Sequence, residues 1–328
     1  MSQEELLNPD QINALAYSFQ KSRVLLTAAE LKIFSILDKH LLPSDEVAKK
    51  INSDPRATDR LMNALVAIGL MRKVHGKFYN TETAAKYLVE GKPDFMSGLL
   101  FVNNLWNSWS NLTEAVKKGK SLTEKSIETE DWLNSFIAAM HYRADHHAKI
   151  IGLMLELGNV KKMLDVGGGS GAFSYEFMKI NPQIESVIFD VPEVINLTKK
   201  YADDNKLTNK IKFIEGDYLI DDFGSGYDLI LLSAVIHINS SEQNKALINK
   251  CSEALNTGGQ IVIKDFVMNE DRAYPVAGAL FSLNMLVNTE SGDTYTENEI
   301  KEWLLSSGIQ NIEKKKTSFG SDLIIGKK

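Results

Sequence analysis

The side chains and glycines able to do chemistry are concentrated in one stretch of this 328-residue chain, MLDVGGGSGAF, from Met163 to Phe173. An apolar run ends in the acid Asp165, and three glycines follow at alternate positions, Gly167, Gly169 and Gly171. A loop with so little side chain lets its backbone approach a ligand closely. The amphipathic run FSYEFMKI behind it predicts a helix whose N-terminus offers unpaired amides. Two further acids stand at corresponding places. Asp190 lies about 20 residues past the glycines, where a carboxylate receives ribose hydroxyls, and Asp217 follows in EGDY. Acids at three successive strand ends point to one crevice, at the edge where open α/β sheets bind ligands.

Two nucleotide cofactors compete for such a crevice. The dinucleotide fingerprint is G-x-G-x-x-G, whereas here the third glycine arrives one residue early and Asp165 precedes the first. A ligand with an amino group and a positive centre favours an acidic site over a phosphate-binding one, and S-adenosyl-L-methionine has both. Other reactive residue types give less. His141, His146 and His147 share one helical run, but their spacings do not gather three imidazoles as the i, i+4 pair of a zinc helix gathers two. They read as a helix face, and no metal is expected. The single cysteine, Cys251, sits inside the helical pattern EQNKALINKCSEALN and reads as packing rather than as a nucleophile.

The elements that must position these residues are legible as periodicities. After residue 160, the runs KMLDVG, ESVIFDV, IKFIEGD, YDLILLSAVI and GGQIVIKDF read as five strands, separated by helix-compatible segments. Near-continuous apolar strands with helical crossovers predict a parallel sheet covered on both faces, a doubly wound α/β domain. Before residue 100 the order is helix, turn, helix and a small hairpin at HGKFYN, which is a winged-helix layout. The expected division is residues 1–100 and 101–328, with 101–160 a helical connection contributing to the substrate pocket.

Composition narrows the partners. The chain is 44% apolar and 24% charged, with a formal charge of −6. These are the proportions of an ordinary globular protein and a poor match to phosphate neutralisation. The second helix of the winged-helix layout, RLMNALVAIGLM, is mostly apolar, with only Arg56 and Arg60 near its start to meet phosphates. Groove reading needs several polar side chains on one face, so a protein partner is expected there and no nucleic acid. No run of about 18 apolar residues suggests a membrane span, the N-terminus MSQEELLNPD is acidic and lacks a long apolar core, and a lone cysteine fits a reducing compartment. The cytoplasm is the expected location.

The ordered set LDVGGGSG, FDVPEVI, EGDY, SAVIHI and MLVNTESGDTYTENEIKEWLLSSGI resembles the class I S-adenosylmethionine-dependent O-methyltransferases of the plant caffeate and acetylserotonin type, with their bacterial relatives. The likeness covers nearly the whole chain. It implies a Rossmann-like methyltransferase domain, an N-terminal all-helical winged-helix dimerisation domain, a homodimer, and a small acceptor, usually aromatic, that bears a hydroxyl. By position it implies that Gly167, Gly169 and Gly171 line the methionine end of the cofactor, with Asp165 also among the cofactor-binding residues. Asp190 would bind the ribose, and Asp217 and Tyr218 would flank the adenine. Ser233 stands where plant members often carry a lysine near the cofactor.

The same resemblance makes His237 the catalytic base. A phenol with a pKa near 10 is mostly protonated at pH 7, and histidine, with an ordinary pKa near 6.5, can take its proton as attack proceeds. Phe136, Met140, Asn284 and Met285 would wall the acceptor pocket. The chain departs from the family where His-Asp-Trp is usual, reading His237-Ile238-Asn239. It departs again at the two acids that orient the base, whose positions hold Asp265 and Thr294. Two other readings share these features. One is a regulator that senses S-adenosylmethionine and binds DNA, which the apolar second helix disfavours. The other is an enzyme that methylates carbon, nitrogen or sulfur.

Overall fold

The computed structural model describes residues 7–122 and 130–328. Residues 1–6, part of the acidic N-terminus, and 123–129, inside the expected helical connection, lie outside the described residues. The chain divides into two compact units, Met1–Asn104 and Leu105–Lys328.

The first unit holds α1 (Pro9–Tyr17), α2 (Phe19–Glu30), α3 (Ile33–Ile36), α4 (Ser44–Lys50), α5 (Pro55–Ala67) and α6 (Glu82–Tyr87). It is not all helical, as the resemblance implied. β1 (Leu42–Pro43), β2 (Met71–Val74) and β3 (Lys77–Asn80) form a small antiparallel sheet in the order β1-β3-β2. The hairpin turns at His75 and Gly76, both at positive φ, the backbone a two-residue hairpin loop requires. Asp54 caps α5 through the Ala57 amide at 2.8 Å, with Pro55 in the first turn. Met62 and Leu65 of α5 bury against Phe34, Val47 and Phe78, so the apolar character of the second helix is spent largely inside the unit. Arg56 and Arg60 stay exposed.

In chain order the helices then continue as α7 (Gly98–Ser110), within which the division between units falls, α8 (Leu112–Lys118) and α9 (Glu130–Met154). The five expected strands follow: β4 (Lys162–Val166), β5 (Glu185–Asp190), β6 (Ile211–Glu215), β7 (Tyr227–Ser233) and β8 (Leu255–Asp265). Their crossovers are α10 (Ala172–Ile180), α11 (Pro192–Asp204) and α12 (Ser241–Ala254). β9 (Val267–Met268) pairs in parallel with β10 (Tyr295–Thr296), bracketing α13 (Val276–Asn288). After α14 (Glu297–Ser306) come β11 (Gln310–Lys315) and β12 (Asp322–Lys327).

The main sheet has seven strands in the order β11-β12-β8-β7-β4-β5-β6. β4 to β8 are mutually parallel, as expected, while β12 runs antiparallel to β8 and β11 antiparallel to β12. The sheet is therefore mixed, and its two antiparallel strands, β12 and the edge strand β11, are absent from the sequence reading. QNIEKK is too polar to read as a buried strand, and its edge position explains why it can be. One face of the sheet packs Ile230, Leu232, Ile261 and Ile263 against α12 and α14, and the other packs Leu229, Leu231 and Val262 against α9 and α10. The alternation along each strand produces these two cores.

Candidate active site

The carboxyl edges of β4, β5, β6, β7 and β8 bring the expected residues to one side of the second unit. The glycine loop leaves β4 there. Gly167, Gly169 and Gly171 all have positive φ, which glycine adopts without the Cβ penalty. Their surroundings differ. A Cβ on Gly169 would meet nothing within 4 Å, whereas one on Gly171 would sit 2.6 Å from the Tyr175 hydroxyl and 2.8 Å from Ile188 Cδ1. Gly169 thus borders open space and Gly171 permits close packing of α10 on β5.

Asp165 lies beneath this loop at 1% exposure. Its carboxylate accepts the Ser174 hydroxyl at 2.9 Å, and Ser174 in turn accepts the Ser186 hydroxyl at 2.9 Å. Burial pushes its pKa up to about 7, with the charge of Asp190 adding to the rise and Ser174 opposing it. A fully buried carboxyl under the loop supports the loop.

Asp190 closes β5 and ties the loop to it. Its Oδ2 accepts the Gly169 amide at 2.9 Å and its Oδ1 the Val191 amide at 2.8 Å. Burial raises its pKa, and these two amides oppose the rise. Each oxygen keeps a lone pair for another donor, because a carboxylate offers about four acceptor sites. On α11, Thr198 donates to the Gly169 carbonyl at 2.6 Å, fixing the loop from its other side. Asp217 accepts the Leu219 amide at 2.8 Å. Tyr218 donates to Asn239 Oδ1 at 3.1 Å, and burial pushes its hydroxyl up to about 12.

His237 sits in a turn of 3₁₀ helix, Ile236–Ile238, just past β7, and is buried to 9% exposure. The backbone leading to it contains Ala234 at φ +60°, a conformation non-glycine residues seldom adopt and one found at functional sites. Asp265, at the end of β8, lies 2.8 and 2.9 Å from His237 Nδ1 through its two oxygens. An ionised carboxylate only accepts, so this contact places the proton on Nδ1 and leaves the Nε2 lone pair available. Asp265 is itself held by the Phe266 amide at 2.8 Å. The Phe281 ring stands edge-on to the imidazole, 4.8 Å between centroids, and Phe266 packs on Phe281 at 4.5 Å.

Thr294 does not join this pair. Its hydroxyl donates to the Gly278 carbonyl of α13 at 3.4 Å. Asn284 accepts the Trp109 indole N–H at 2.9 Å, and Met285 beside it is buried at 6% exposure. Phe136 and Met140 are half-buried on α9, with Trp132 stacked on Phe136 at 5.3 Å. Ser233 is half-buried at the end of β7.

Sequence reasoning passed over several residues of this region. Phe281 was detectable, since it lies four residues before Met285 on the same helix and so on the same face. The three histidines of α9 have separate partners. His141 Nδ1 is 2.8 Å from the Ser170 hydroxyl of the glycine loop, His146 bonds the Tyr142 carbonyl, and His147 stacks on Phe319 at 3.9 Å. Among the described residues, no group of three or more His, Cys, Asp and Glu side chains could hold a metal ion. Cys251 is fully buried, and burial pushes its thiol up to about 12, which removes the reactive thiolate.

Residues 109–310 match the O-methyltransferase domain family, and residues 13–91 match the O-methyltransferase dimerisation domain. The chain belongs to the O-methyltransferase family. Over 312 residues it is 29% identical to the 3-hydroxy-5-methyl-1-naphthoate 3-O-methyltransferase of Streptomyces sahachiroi, covering 93% of this chain and 90% of that one. It is 27% identical to the acetylserotonin O-methyltransferase of Gallus gallus over 347 residues, covering 100% and 99%. The crystal structure of human N-acetylserotonin methyltransferase in complex with SAM superposes with a TM-score of 0.87 at 27% identity, covering 100% of this chain and 99% of that one.

This chain is a methyltransferase that uses S-adenosyl-L-methionine. The residues present fit that cofactor. Open space borders Gly169, and Asp190 keeps carboxylate lone pairs beside it. No helix among the described residues is long and apolar enough to cross a membrane.

Proposed function

We propose that this enzyme methylates a hydroxyl of a small aromatic molecule, with His237 as general base. The observation that carries the reading is the His237–Asp265 contact at 2.8 Å at the carboxyl edge of the sheet. The cofactor supplies a sulfonium-bound methyl group open to in-line attack. The protein's part is positioning and proton removal. Asp265 fixes the imidazole by Nδ1, so Nε2 faces the acceptor hydroxyl and takes its proton as the oxygen attacks. Phe281, edge-on to that imidazole, and Phe266 behind it offer flat apolar surface to an aromatic ring. The activities for which the relatives are named, on a hydroxynaphthoate and on acetylserotonin, support the same class of acceptor.

In this reading Asp190 receives the ribose hydroxyls and Gly169 borders the sugar. Asp217 and Tyr218 stand at the adenine, and Gly167 and Ser233 lie toward the sulfonium. Phe136, Met140 and Asn284 belong to the acceptor pocket. Two copies associate through residues 13–91, which fits the exposed Leu15 and Tyr17 of α1.

His237→Ala tests the base. General-base catalysis contributes about 10²–10⁴ in rate, so turnover on a hydroxylated naphthoate or N-acetylserotonin falls by that factor. Affinity for S-adenosylhomocysteine by calorimetry stays the same. A variant that keeps more than about a third of parent turnover refutes proton removal by this residue.

A further inference from the structure

Lys264 and Asp265 are neighbours on β8, and alternation along the strand sends their side chains to opposite faces of the sheet. Asp265 meets His237. Lys264 emerges on the face of Val262, where β8 packs against α9 and α10. β7 and β8 are in register at this point, with Ser233 the direct partner of Lys264, so the two side chains rise next to each other. A hydroxymethyl group at Ser233 leaves lateral room that a longer side chain would occupy. The Lys264 ammonium lies 5.6 Å from the centre of the Phe173 ring, and Phe173 is the second residue of α10, directly behind the glycine loop. Lysine nitrogen, loop and Ser233 therefore share one corner of the crevice.

This ammonium is unusually placed for a lysine. Burial lowers its pKa, Asp265 opposes that effect, and Arg143 of α9 adds to it. His147, one turn along α9 from Arg143, is pushed down to about 4 by burial first and by Lys264 second. Among the described residues no carboxylate lies within ion-pair distance of Lys264. A largely buried cation crowded by other basic groups is unfavourable until an anion joins it.

We propose that Lys264 binds the amino-acid carboxylate of S-adenosyl-L-methionine. The assignment rests on the placement of the ribose at Asp190. β5, which ends in Asp190, is separated from β7 by β4 alone. An extended ligand with its ribose at β5 and its adenine toward β6 directs its other end to β7 and β8. That end of the cofactor carries its sole carboxylate. Ser233 contributes by being small, and Phe173 holds the ammonium over the loop by a cation–π contact.

The test compares two ligands by calorimetry on the full-length protein. S-adenosylhomocysteine carries the amino-acid carboxylate, and 5′-methylthioadenosine lacks it. In Lys264→Met, S-adenosylhomocysteine binds tenfold to a hundredfold more weakly, the range for losing a hydrogen bond to a charged group. Methylthioadenosine binds as in the parent, which also shows that the variant is folded. Lys264→Arg restores most of the lost affinity. Equal weakening of both ligands, or no change in either, overturns the proposal. The second result combined with a raised KM only for carboxylated acceptors would assign the cation to the acceptor instead. Failure of the parent itself to bind S-adenosylhomocysteine would strike the cofactor reading, a separate outcome.

Discussion

Replacing Asp165 by Asn should make the protein more stable at neutral pH, and the gain should vanish in acid. Asp165 is a carboxyl at 1% exposure, satisfied by the Ser174 hydroxyl and facing the charge of Asp190, with its pKa raised to about 7 from an ordinary 3.8. A raised folded pKa means that the folded state holds the proton more tightly than the unfolded chain. The stabilisation is complete below pH 3.8 and is lost as pH rises through about 7. A displacement of about three pKa units corresponds to roughly 4 kcal/mol between the two limits.

Asn keeps the shape and the acceptor for Ser174 and cannot ionise, so its stability lacks this loss. Urea denaturation followed by tryptophan fluorescence, run on both proteins from pH 4.5 to 8.5, gives the difference directly. Every other titrating group is common to the pair and cancels if it lies far from the site. The difference should grow in favour of Asp165→Asn across that range and flatten above about pH 8. A difference independent of pH would mean that the carboxyl is ionised throughout, and the account of a buried acid under the glycine loop would be wrong.

The glycine loop makes a second, comparative prediction. Gly169→Ala should cost about 1–2 kcal/mol, the penalty of a left-handed backbone with a Cβ. Gly171→Ala should cost distinctly more in thermal denaturation, because its Cβ would meet Tyr175 and Ile188 below 3 Å; equal losses would contradict the packing described. For assembly, sedimentation at micromolar concentration should give a dimer, and Leu15→Glu, at a residue 66% exposed in the single chain, should shift it toward monomer. A parent protein that sediments as a monomer would remove the homodimer.

The sequence disclosed what depends on local pattern and hid what depends on tertiary approach. Five strands were legible because KMLDV, ESVIFD and YDLILLS are apolar runs of strand length, and the glycine loop because glycines at alternate positions follow an apolar run that ends in an acid. QNIEKK gave no such signal, since an edge strand with a wet face needs little apolar content. Asp190 stands out in the sequence by its distance from the glycines, but its bonds to Gly169 and Val191 join residues that periodicity cannot relate. The link between Trp109 and Asn284 spans 175 positions, and that between His141 and Ser170 spans 29. Helical periodicity reports which face a residue occupies, never what stands opposite. The pairing of His237 with Asp265 was inferred from family resemblance, and Thr294 shows the limit of that inference, because a hydroxyl at an acid's position found a carbonyl partner on α13.

The turn that carries His237 is held by neutral groups. Asn239 donates to Asn244 Oδ1 at 3.1 Å, and Asn244 donates to the Ile236 carbonyl at 2.8 Å. Tyr295 donates to the Asn239 carbonyl at 2.5 Å, and the Asp293 amide to the His237 carbonyl at 3.0 Å. Gly292 approaches so closely that a Cβ there would stand 2.3 Å from that carbonyl. These bonds fix the backbone on both sides of the imidazole without adding charge near it. Positioning is thus shared between different residues: the amide network fixes the backbone of the turn, and Asp265 holds the ring through Nδ1. A site built this way keeps its geometry when the charge is altered. An Asp265→Asn variant would therefore keep the turn in place, so a fall in its turnover with unchanged affinity for S-adenosylhomocysteine by calorimetry would assign that fall to the lost carboxylate, and unchanged turnover would deny Asp265 a part in the reaction.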